Sequence, residues 1–199
     1  KIDEALEAGF TALKIKVGVE HDQQTLTWIR ERFDGPLYLD ANEAWSPAEA
    51  PRRIRELARF NPTLIEQPLP KADWAAGKEL RSLGVAPIYV DESCERPADV
   101  LKLHGHVDGI NIKFTKCGGI REALRMVALA RALDMGIMLG CFVSSGLAIA
   151  PPLAIASLVD HADLDGHLLL AHDPFPGIER DGGSARVEKA LMAPRLGPA

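Results

Sequence analysis

Short apolar runs recur along the chain about every 25 residues, and segments with helical spacing lie between them. The seven runs cover residues 13–17, 37–41, 64–67, 88–91, 110–114, 137–141 and 167–171. A helix is predicted over residues 119–135 from the spacing of its apolar positions. Another is predicted to begin at Ser46, because a capping serine, a first-turn proline and Glu49 follow one another there. Strands that alternate with helices predict βαβ units and a parallel sheet.

Charged and amide residues lie at or near the ends of five successive runs. They are Lys14 and Lys16, Asp40 and Asn42, Glu66 and Gln67, Asp91 and Glu92, and Lys113. Two parallel architectures compete, an open doubly wound sheet with one crevice and a closed (β/α)8 barrel whose mouth collects residues from many strands. Burying unpaired charges on five strands is too costly to be incidental. We therefore predict an α/β fold of the TIM-barrel type, with one shared site at its carboxyl-terminal mouth.

Three acids at these strand ends, Asp40, Glu66 and Asp91, predict a metal site. Carboxylate oxygens suit Mg²⁺ or Mn²⁺, whereas zinc would require histidine or cysteine ligands. Further polar residues are expected to orient these ligands or to contact the substrate, namely Asn42, Gln67 and Glu92.

Two lysines, Lys16 and Lys113, are expected to flank this metal from opposite sides of the mouth. A partly desolvated lysine beside another cation has a lowered pKa and can act as a base, and Lys14 could be that cation or contact a substrate carboxylate. A divalent ion that held the substrate carboxylate would stabilise the charge formed when the α-proton leaves. Two bases predict a racemase or epimerase, and one base predicts an elimination.

The composition of the chain excludes several classes of function. The 199 residues fit one domain, and a net charge of −5 provides no basic field for nucleic acid or anionic lipid. The sequence contains neither a long apolar stretch nor a secretory signal, so we expect a cytoplasmic protein without membrane segments. Three cysteines without a metal-binding spacing predict neither a disulfide nor a zinc site. The chain opens without methionine and inside a predicted helix, which suggests a piece of a longer protein.

The sequence resembles the enolase superfamily, in its muconate-lactonizing subgroup, over almost its whole length. The motifs that carry the resemblance are Lys14-Ile15-Lys16, Asp40-Ala41-Asn42-Glu43-Ala44-Trp45, Ile65-Glu66-Gln67-Pro68, Asp91-Glu92-Ser93 and Asn111-Ile112-Lys113. The resemblance implies a Mg²⁺ site at Asp40, Glu66 and Asp91, with Lys16 and Lys113 as the two acid/base catalysts.

The pair Asp163 and Asp165 looks like the Asp-x-Asp motif of dipeptide epimerases, in which two carboxylates hold the substrate's ammonium group. The resemblance therefore implies a Mg²⁺-dependent epimerase of dipeptides. The alternatives within the subgroup are o-succinylbenzoate synthase, N-acylamino acid racemase and muconate cycloisomerase. From other classes, a metal-free enzyme that forms an imine at Lys113 and a noncatalytic binding protein remain open.

Two departures from the family pattern affect the expected organisation. Relatives usually carry a glutamate in the segment that reads Val143-Ser144-Ser145-Gly146 here. In the family, an N-terminal capping domain and a first barrel strand come before the strand that carries Lys14 and Lys16. Neither is expected in this chain. We therefore expect residues 1–181 to form most of the barrel domain and residues 182–199 to form a C-terminal tail. Its partner is expected to be a small molecule, and the protein is expected to form a homo-oligomer.

Overall fold

Strands and helices alternate along most of the chain in the computed structural model, which describes residues 2–175, 177–182 and 184–187. The strands are β1 Leu13–Lys16, β2 Leu37–Asp40, β3 Leu64–Glu66, β4 Ile88–Val90, β5 Gly109–Lys113, β6 Gly136–Gly140, β7 His161–Asp163, β8 Ile178–Asp181 and β9 Ser184–Val187. The α-helices are α1 Ile2–Glu7, α2 Asp22–Arg30, α3 Ala50–Leu57, α4 Gly77–Ser82, α5 Pro97–Leu103, α6 Phe114–Cys117, α7 Ile120–Ala132 and α8 Gly146–Leu153. Short 3₁₀ helices cover Ala58–Phe60, Lys71–Ala76, Ala156–Leu158 and Gly166–Leu169.

The first seven strands form one parallel sheet in the order of the sequence. Its register brings neighbouring strand ends side by side, since Lys16 pairs with Asp40 and Asp40 pairs with Glu66. Within the described residues β1 and β7 form no ladder with each other, but Lys14 Nζ lies 3.0 Å from Asp163 Oδ2 across the opening. The sheet is therefore curled nearly into a barrel. This confirms the predicted α/β barrel and excludes the open doubly wound sheet.

Successive side chains of each strand point to opposite faces of the sheet, so the strands contribute to two separate apolar regions. The larger core lies between the sheet and its helices, and its strand residues include Leu39, Ile65, Ile88, Ile110, Ile112, Ile137 and Leu139. The smaller one consists of Leu64, Tyr89 and Met138, with Tyr38 packed against them inside the curled sheet. A Cβ at Gly136 would lie 1.9 Å from Tyr89 Oη, so this glycine leaves the space that the ring fills. These packed side chains support the polar mouth from below.

The seventh strand lies earlier than predicted. Residues 167–171 are not a strand, because Gly166–Leu169 is a 3₁₀ helix and β7 instead spans His161–Asp163. Among the described residues this strand of three residues forms a backbone ladder with β6 alone, and it begins and ends with a polar residue. The apolar run after it mostly faces outward, since Leu168 and Leu169 are exposed. The correction moves Asp163 to a strand end, level with the other residues of the mouth.

Two helix predictions differ from the structure at their boundaries. The helix predicted over residues 119–135 is α7, which ends three residues earlier. The helix predicted to begin at Ser46 begins at Ala50 instead. Ser46 and Glu49 do interact, with Ser46 Oγ donating to Glu49 Oε2 at 2.6 Å, but they form a turn that precedes α3.

The end of the chain beyond the barrel contains an antiparallel hairpin of β8 and β9. The predicted boundary between residues 181 and 182 falls between these two strands. Residues 183 and 188–199 of the predicted tail lie outside the described residues, so the tail stays a prediction. Among the helices of the described residues, none has both the length and the apolar character needed to cross a membrane.

Candidate active site

Ionisable side chains from six strands meet at the carboxyl-terminal mouth of the curled sheet. They are Lys14 and Lys16 of β1, Asp40 of β2, Glu66 of β3, Asp91 directly after β4, Lys113 of β5 and Asp163 of β7. Parallel strands end at one edge, and residues two apart on a strand share a face. This is why acids and lysines that are far apart in the sequence become neighbours in space.

Lys14 occupies the centre of the first cluster. Its Nζ lies 2.8 Å from Glu66 Oε2, 3.0 Å from Asp163 Oδ2 and 3.2 Å from Asp40 Oδ2. The side chain is largely buried, so these three carboxylates take the place of water around the ammonium group. Lys14 thus joins strands from both sides of the opening in the sheet.

The charges of this cluster shift one another's pKa values. Burial by itself would lower the pKa of Lys14, but Glu66, Asp163 and Asp40 outweigh it and raise that pKa above its ordinary value. Burial would raise the pKa of Asp40, but the two β1 lysines hold it below its ordinary value. For Glu66, burial prevails over the attraction of Lys14 and raises the pKa. Lys14 therefore stays charged at neutral pH, which favours a role as a fixed cation over one as a base.

Lys16 lies at the outer edge of the mouth, and its side chain is 69% exposed. Its Nζ lies 2.7 Å from Asp40 Oδ2 and also contacts the side-chain oxygen of Asn42. Asn42 in turn donates from Nδ2 to Glu92 Oε1 at 3.1 Å. The expected polar neighbours Asn42 and Glu92 thus form a chain that leads from Lys16 across the mouth.

A second cluster surrounds Asp91. Lys113 Nζ lies 2.7 Å from Asp91 Oδ2, and Lys116 contacts the other carboxylate oxygen. Lys116 also donates to the backbone oxygen of Asp91 at 2.6 Å. The ring of Phe142 covers Lys113, with its centroid 4.4 Å from Nζ. Lys113 is therefore held from one side by a carboxylate and from another by an aromatic ring.

Glu66 is held by a residue for which the sequence analysis predicted no role. Asn111 Nδ2 donates to Glu66 Oε1 at 2.8 Å, and both side chains are fully buried. Asn111 lies two positions before Lys113 on β5, so the period of two was a signal that could have identified it. Lys116 and Phe142 lie outside the strands, and strand periodicity contains no signal for them.

Gln67 supports the site from behind instead of facing the mouth. Its Oε1 accepts from the backbone N–H groups of Asp91 at 2.9 Å and Ser93 at 3.2 Å. Its Nε2 donates to the backbone oxygen of Leu69 at 2.8 Å. Gln67 therefore fixes the segment that carries Asp91, and its orienting role stays a prediction.

Asp163 and Asp165 lie together at the β7 side of the mouth. Asp163 pairs with Lys14, whereas Asp165 follows two residues later and is exposed. Partial desolvation of its carboxyl group by the surrounding protein, together with the negative charge of Asp163, raises the pKa of Asp165. Two carboxylates in proximity form a negative region that suits a cationic group.

The donors at the mouth fit a hard divalent cation. Asp40, Glu66 and Asp91 are each at most 2% exposed, and Mg²⁺ and Mn²⁺ prefer carboxylate oxygens. The Lys14 ammonium lies between the first two, so this position accepts positive charge. All three acids pair with lysines in the arrangement seen here, and the part of the chain that is described contains no group of three or more His, Cys, Asp or Glu side chains poised around an ion. The assignment thus rests on donor chemistry and burial.

Curated proteins similar to this chain include several dipeptide epimerases and an N-acetyl-D-glutamate racemase, which is 38% identical over 138 residues. The L-Ala-D/L-Glu epimerase of Bacteroides thetaiotaomicron is 40% identical over 171 residues, which are 85% of this chain and 45% of the relative. The hydrophobic dipeptide epimerase of Roseobacter litoralis is 40% identical over 185 residues, covering 89% and 54%. The chain therefore spans about half the length of these relatives.

Solved structures similar to this chain also include dipeptide epimerases. A dipeptide epimerase from Enterococcus faecalis, crystallised with Mg and the dipeptide L-Leu-L-Tyr, superposes with a TM-score of 0.82 at 36% identity. The match covers 88% of this chain and 52% of that structure. The profile of the enolase C-terminal domain-like family matches residues 1–195. The resemblance of the sequence motifs is thereby confirmed, and the chain belongs to the enolase C-terminal domain-like family.

Proposed function

We propose that the complete protein is a divalent-metal-dependent dipeptide epimerase that inverts the α-carbon of the substrate's C-terminal residue. The main support for this proposal is the position of two lysines. Two lysines from distant strands, Lys16 and Lys113, each lie 2.7 Å from a buried carboxylate of the same mouth. A substrate carbon between them would have an acid/base group on each face.

One lysine would remove the proton of the α-carbon, and the other lysine would donate a proton to the opposite face of that carbon. A neutral amine takes the α-proton, the C–H bond breaks, and its electron pair delocalises into the substrate carboxylate. The opposite lysine, in its ammonium form, then donates a proton to the other face and becomes neutral. Atoms and charge balance without an oxidant or a co-substrate.

The acidic and cationic residues around the lysines would hold the substrate carboxylate. Mg²⁺ or Mn²⁺ at Asp40, Glu66 and Asp91 would supply positive charge beside the oxygens on which negative charge develops. Lys14, kept charged by its three carboxylate neighbours, adds a fixed cation. Asn42, Gln67 and Glu92 would keep these groups in position.

The substrate's free amine would bind at Asp163 and Asp165. A cationic ammonium group needs carboxylates, and this pair lies on the opposite side of Lys113 from Asp91 in strand order. The names of the relatives and the dipeptide in the Enterococcus faecalis structure support a dipeptide substrate. A homo-oligomeric state stays a prediction.

The test uses the product of the complete gene with Mg²⁺ in D2O and a library of L,L-dipeptides. Mass spectrometry measures deuterium at the α-carbon, and chiral chromatography measures inversion. We expect exchange with inversion that EDTA abolishes and added Mg²⁺ restores. The double variant Asp163→Ala/Asp165→Ala should lose activity on dipeptides with a free amine, and Gln24→Leu on the exposed face of α2 is the matched control.

Other outcomes would contradict the proposal. Exchange with N-acylamino acids but with no dipeptide would assign the racemase reaction instead. Unchanged turnover in the double aspartate variant would remove the ammonium site. A carbonyl substrate trapped on Lys113 by borohydride without metal would indicate imine chemistry.

A further inference from the structure

The three acids of the proposed metal site share one pattern of hydrogen bonding. In each of them, one carboxylate oxygen accepts from a donor other than Lys14, Lys16 or Lys113. These contacts run from the backbone N–H of Asn42 to Asp40 Oδ1 at 3.1 Å, from Asn111 Nδ2 to Glu66 Oε1 at 2.8 Å, and from Lys116 Nζ to Asp91 Oδ1. Each acid therefore has one oxygen that the protein itself occupies.

The second oxygen of each acid is paired with a lysine of the mouth. Asp40 Oδ2 lies 3.2 Å from Lys14 and 2.7 Å from Lys16, Glu66 Oε2 lies 2.8 Å from Lys14, and Asp91 Oδ2 lies 2.7 Å from Lys113. A metal ion that took the place of these ammonium groups would meet one oxygen from each acid. In the octahedral arrangement that Mg²⁺ requires, the remaining positions stay open for water or substrate.

Lys116 holds Asp91 at two points. Its Nζ contacts Oδ1 and also donates to the backbone oxygen of Asp91 at 2.6 Å, so one ammonium group joins the side chain and the main chain of the same residue. The Lys116 side chain is only 14% exposed, so little water competes for this group. Asp91 therefore cannot turn both of its carboxylate oxygens toward one ion without losing the contact with Lys116.

A single helical turn places Lys116 beside Asp91. Helix α6 follows β5 directly, and Gly118 ends it with a φ of 94°, which favours glycine. Lys113 and Lys116 are three residues apart, a spacing that brings two side chains to one side of a helical turn. The two lysines therefore reach the same carboxylate and bind different oxygens of it.

We propose that Lys116 is a specificity-determining residue for the metal, because it restricts Asp91 to one coordinating oxygen and so selects Mg²⁺ over Ca²⁺. This inference rests on the proposed function and specifies its metal requirement. Ca²⁺ takes about six to eight oxygens and often binds a carboxylate through both of its oxygens, whereas Mg²⁺ is smaller and demands octahedral geometry. A site that offers one oxygen from each acid suits the smaller ion.

Calorimetric titration of the metal-free complete protein with Mg²⁺ and with Ca²⁺ tests this proposal without turnover. The readout is the ratio of the two dissociation constants, because loss of the Lys116 charge changes the Coulomb energy of both divalent ions alike. Lys116→Met should shift this ratio toward Ca²⁺ by about tenfold, as expected when a group that orients a metal ligand is removed. Lys116→Arg keeps donors for Asp91 and should retain most of the wild-type ratio.

Two other lysine variants serve as comparisons. Lys78→Met removes an exposed lysine of α4 and should change neither dissociation constant. Lys113→Met frees Asp91 Oδ2 and should strengthen the binding of both ions without a shift in their ratio. A crystal structure of Lys116→Met with Ca²⁺ should show Asp91 bound to the ion through both oxygens.

An unchanged ratio in Lys116→Met would overturn the proposal, and so would a Ca²⁺ complex of this variant in which Asp91 still binds through one oxygen. Lys116→Ala should give the same shift and replaces the methionine variant if that variant does not fold. If the wild-type protein bound neither ion, the metal site of the proposed function would itself fail. That result is distinct from binding of both ions with a ratio that does not depend on Lys116.

Discussion

Replacing Asn111 by leucine tests whether the buried amide holds Glu66. The side chains of asparagine and leucine are similar in size, and Asn111 contacts Glu66 through a single hydrogen bond of 2.8 Å. Its other polar atom, Oδ1, is buried without a hydrogen-bond partner among the described residues. The substitution therefore removes one interaction and leaves Glu66 Oε1 unsatisfied.

The magnitude follows from the burial of both partners. A hydrogen bond to a charged group contributes about 1.5–3 kcal/mol, which corresponds to a factor of roughly 10 to 150 in an equilibrium constant. The free energy of unfolding should decrease by this amount. If Glu66 is a metal ligand, a misoriented carboxylate should also weaken Mg²⁺ binding about 10- to 100-fold.

Urea unfolding and calorimetric titration with Mg²⁺ measure these two quantities on the complete protein. Gln24→Leu, an exposed polar-to-leucine change on α2, is the matched control and should alter neither. Wild-type stability together with wild-type Mg²⁺ affinity in Asn111→Leu would refute the reasoning. A loss of stability with unchanged affinity would leave Glu66 without its predicted role as a ligand.

Two further predictions concern the packed interior. Burial outweighs the attraction of Asp160 and lowers the pKa of His161, so the unfolded chain binds more protons near pH 6 and stability should fall as the pH decreases from about 7 through the lowered pKa. His161→Gln should flatten this dependence in urea unfolding, and an unchanged slope would contradict the assignment. Gly136→Ala should destabilise the protein by about 1–3 kcal/mol because the new Cβ would meet Tyr89. Adding Tyr89→Leu should relieve part of that cost, and strict additivity in thermal unfolding would show that the two residues do not clash.

The apolar pattern predicted β1 to β6, and of these β2 to β6 each lie between two neighbouring strands that exclude water from them. It failed for β7, which in the described part of the chain forms a backbone ladder with β6 alone and carries polar residues at both ends. Hydrophobicity alone assigned the strand to the leucines that follow, although Leu168 and Leu169 are exposed. None of the three residues of β7 is buried, so this strand produces no recognisable apolar pattern.

The positions of the site residues were predictable, but their partners were not. Parallel strands with a period of two place Asp40, Glu66 and Lys113 at one mouth whatever the detailed packing. The bond from Lys14 to Asp163 joins residues 149 positions apart and requires the sheet to curl until its two edges approach each other. The sequence predicted that the sheet closes, but no local pattern shows which side chains meet across the opening.

The support given by Gln67 illustrates the same limit. The sequence shows an amide beside an acid, which suits a substrate contact as well as an orienting role. The structure shows that Gln67 binds the backbone N–H groups of Asp91 and Ser93. A side chain's choice between these roles depends on the path of a loop more than 20 residues away.

The central claim is that two lysines act on opposite faces of one carbon, and single-lysine variants test it most directly. Lys16→Ala and Lys113→Ala, each in the complete protein with Mg²⁺ in D2O, are incubated separately with the L,L and L,D epimers of one substrate dipeptide. We predict that both variants lose epimerisation, that each still exchanges the α-hydrogen of one epimer only, and that the two variants exchange opposite epimers. Exchange of the same epimer by both variants, or epimerisation retained by either, would contradict the account.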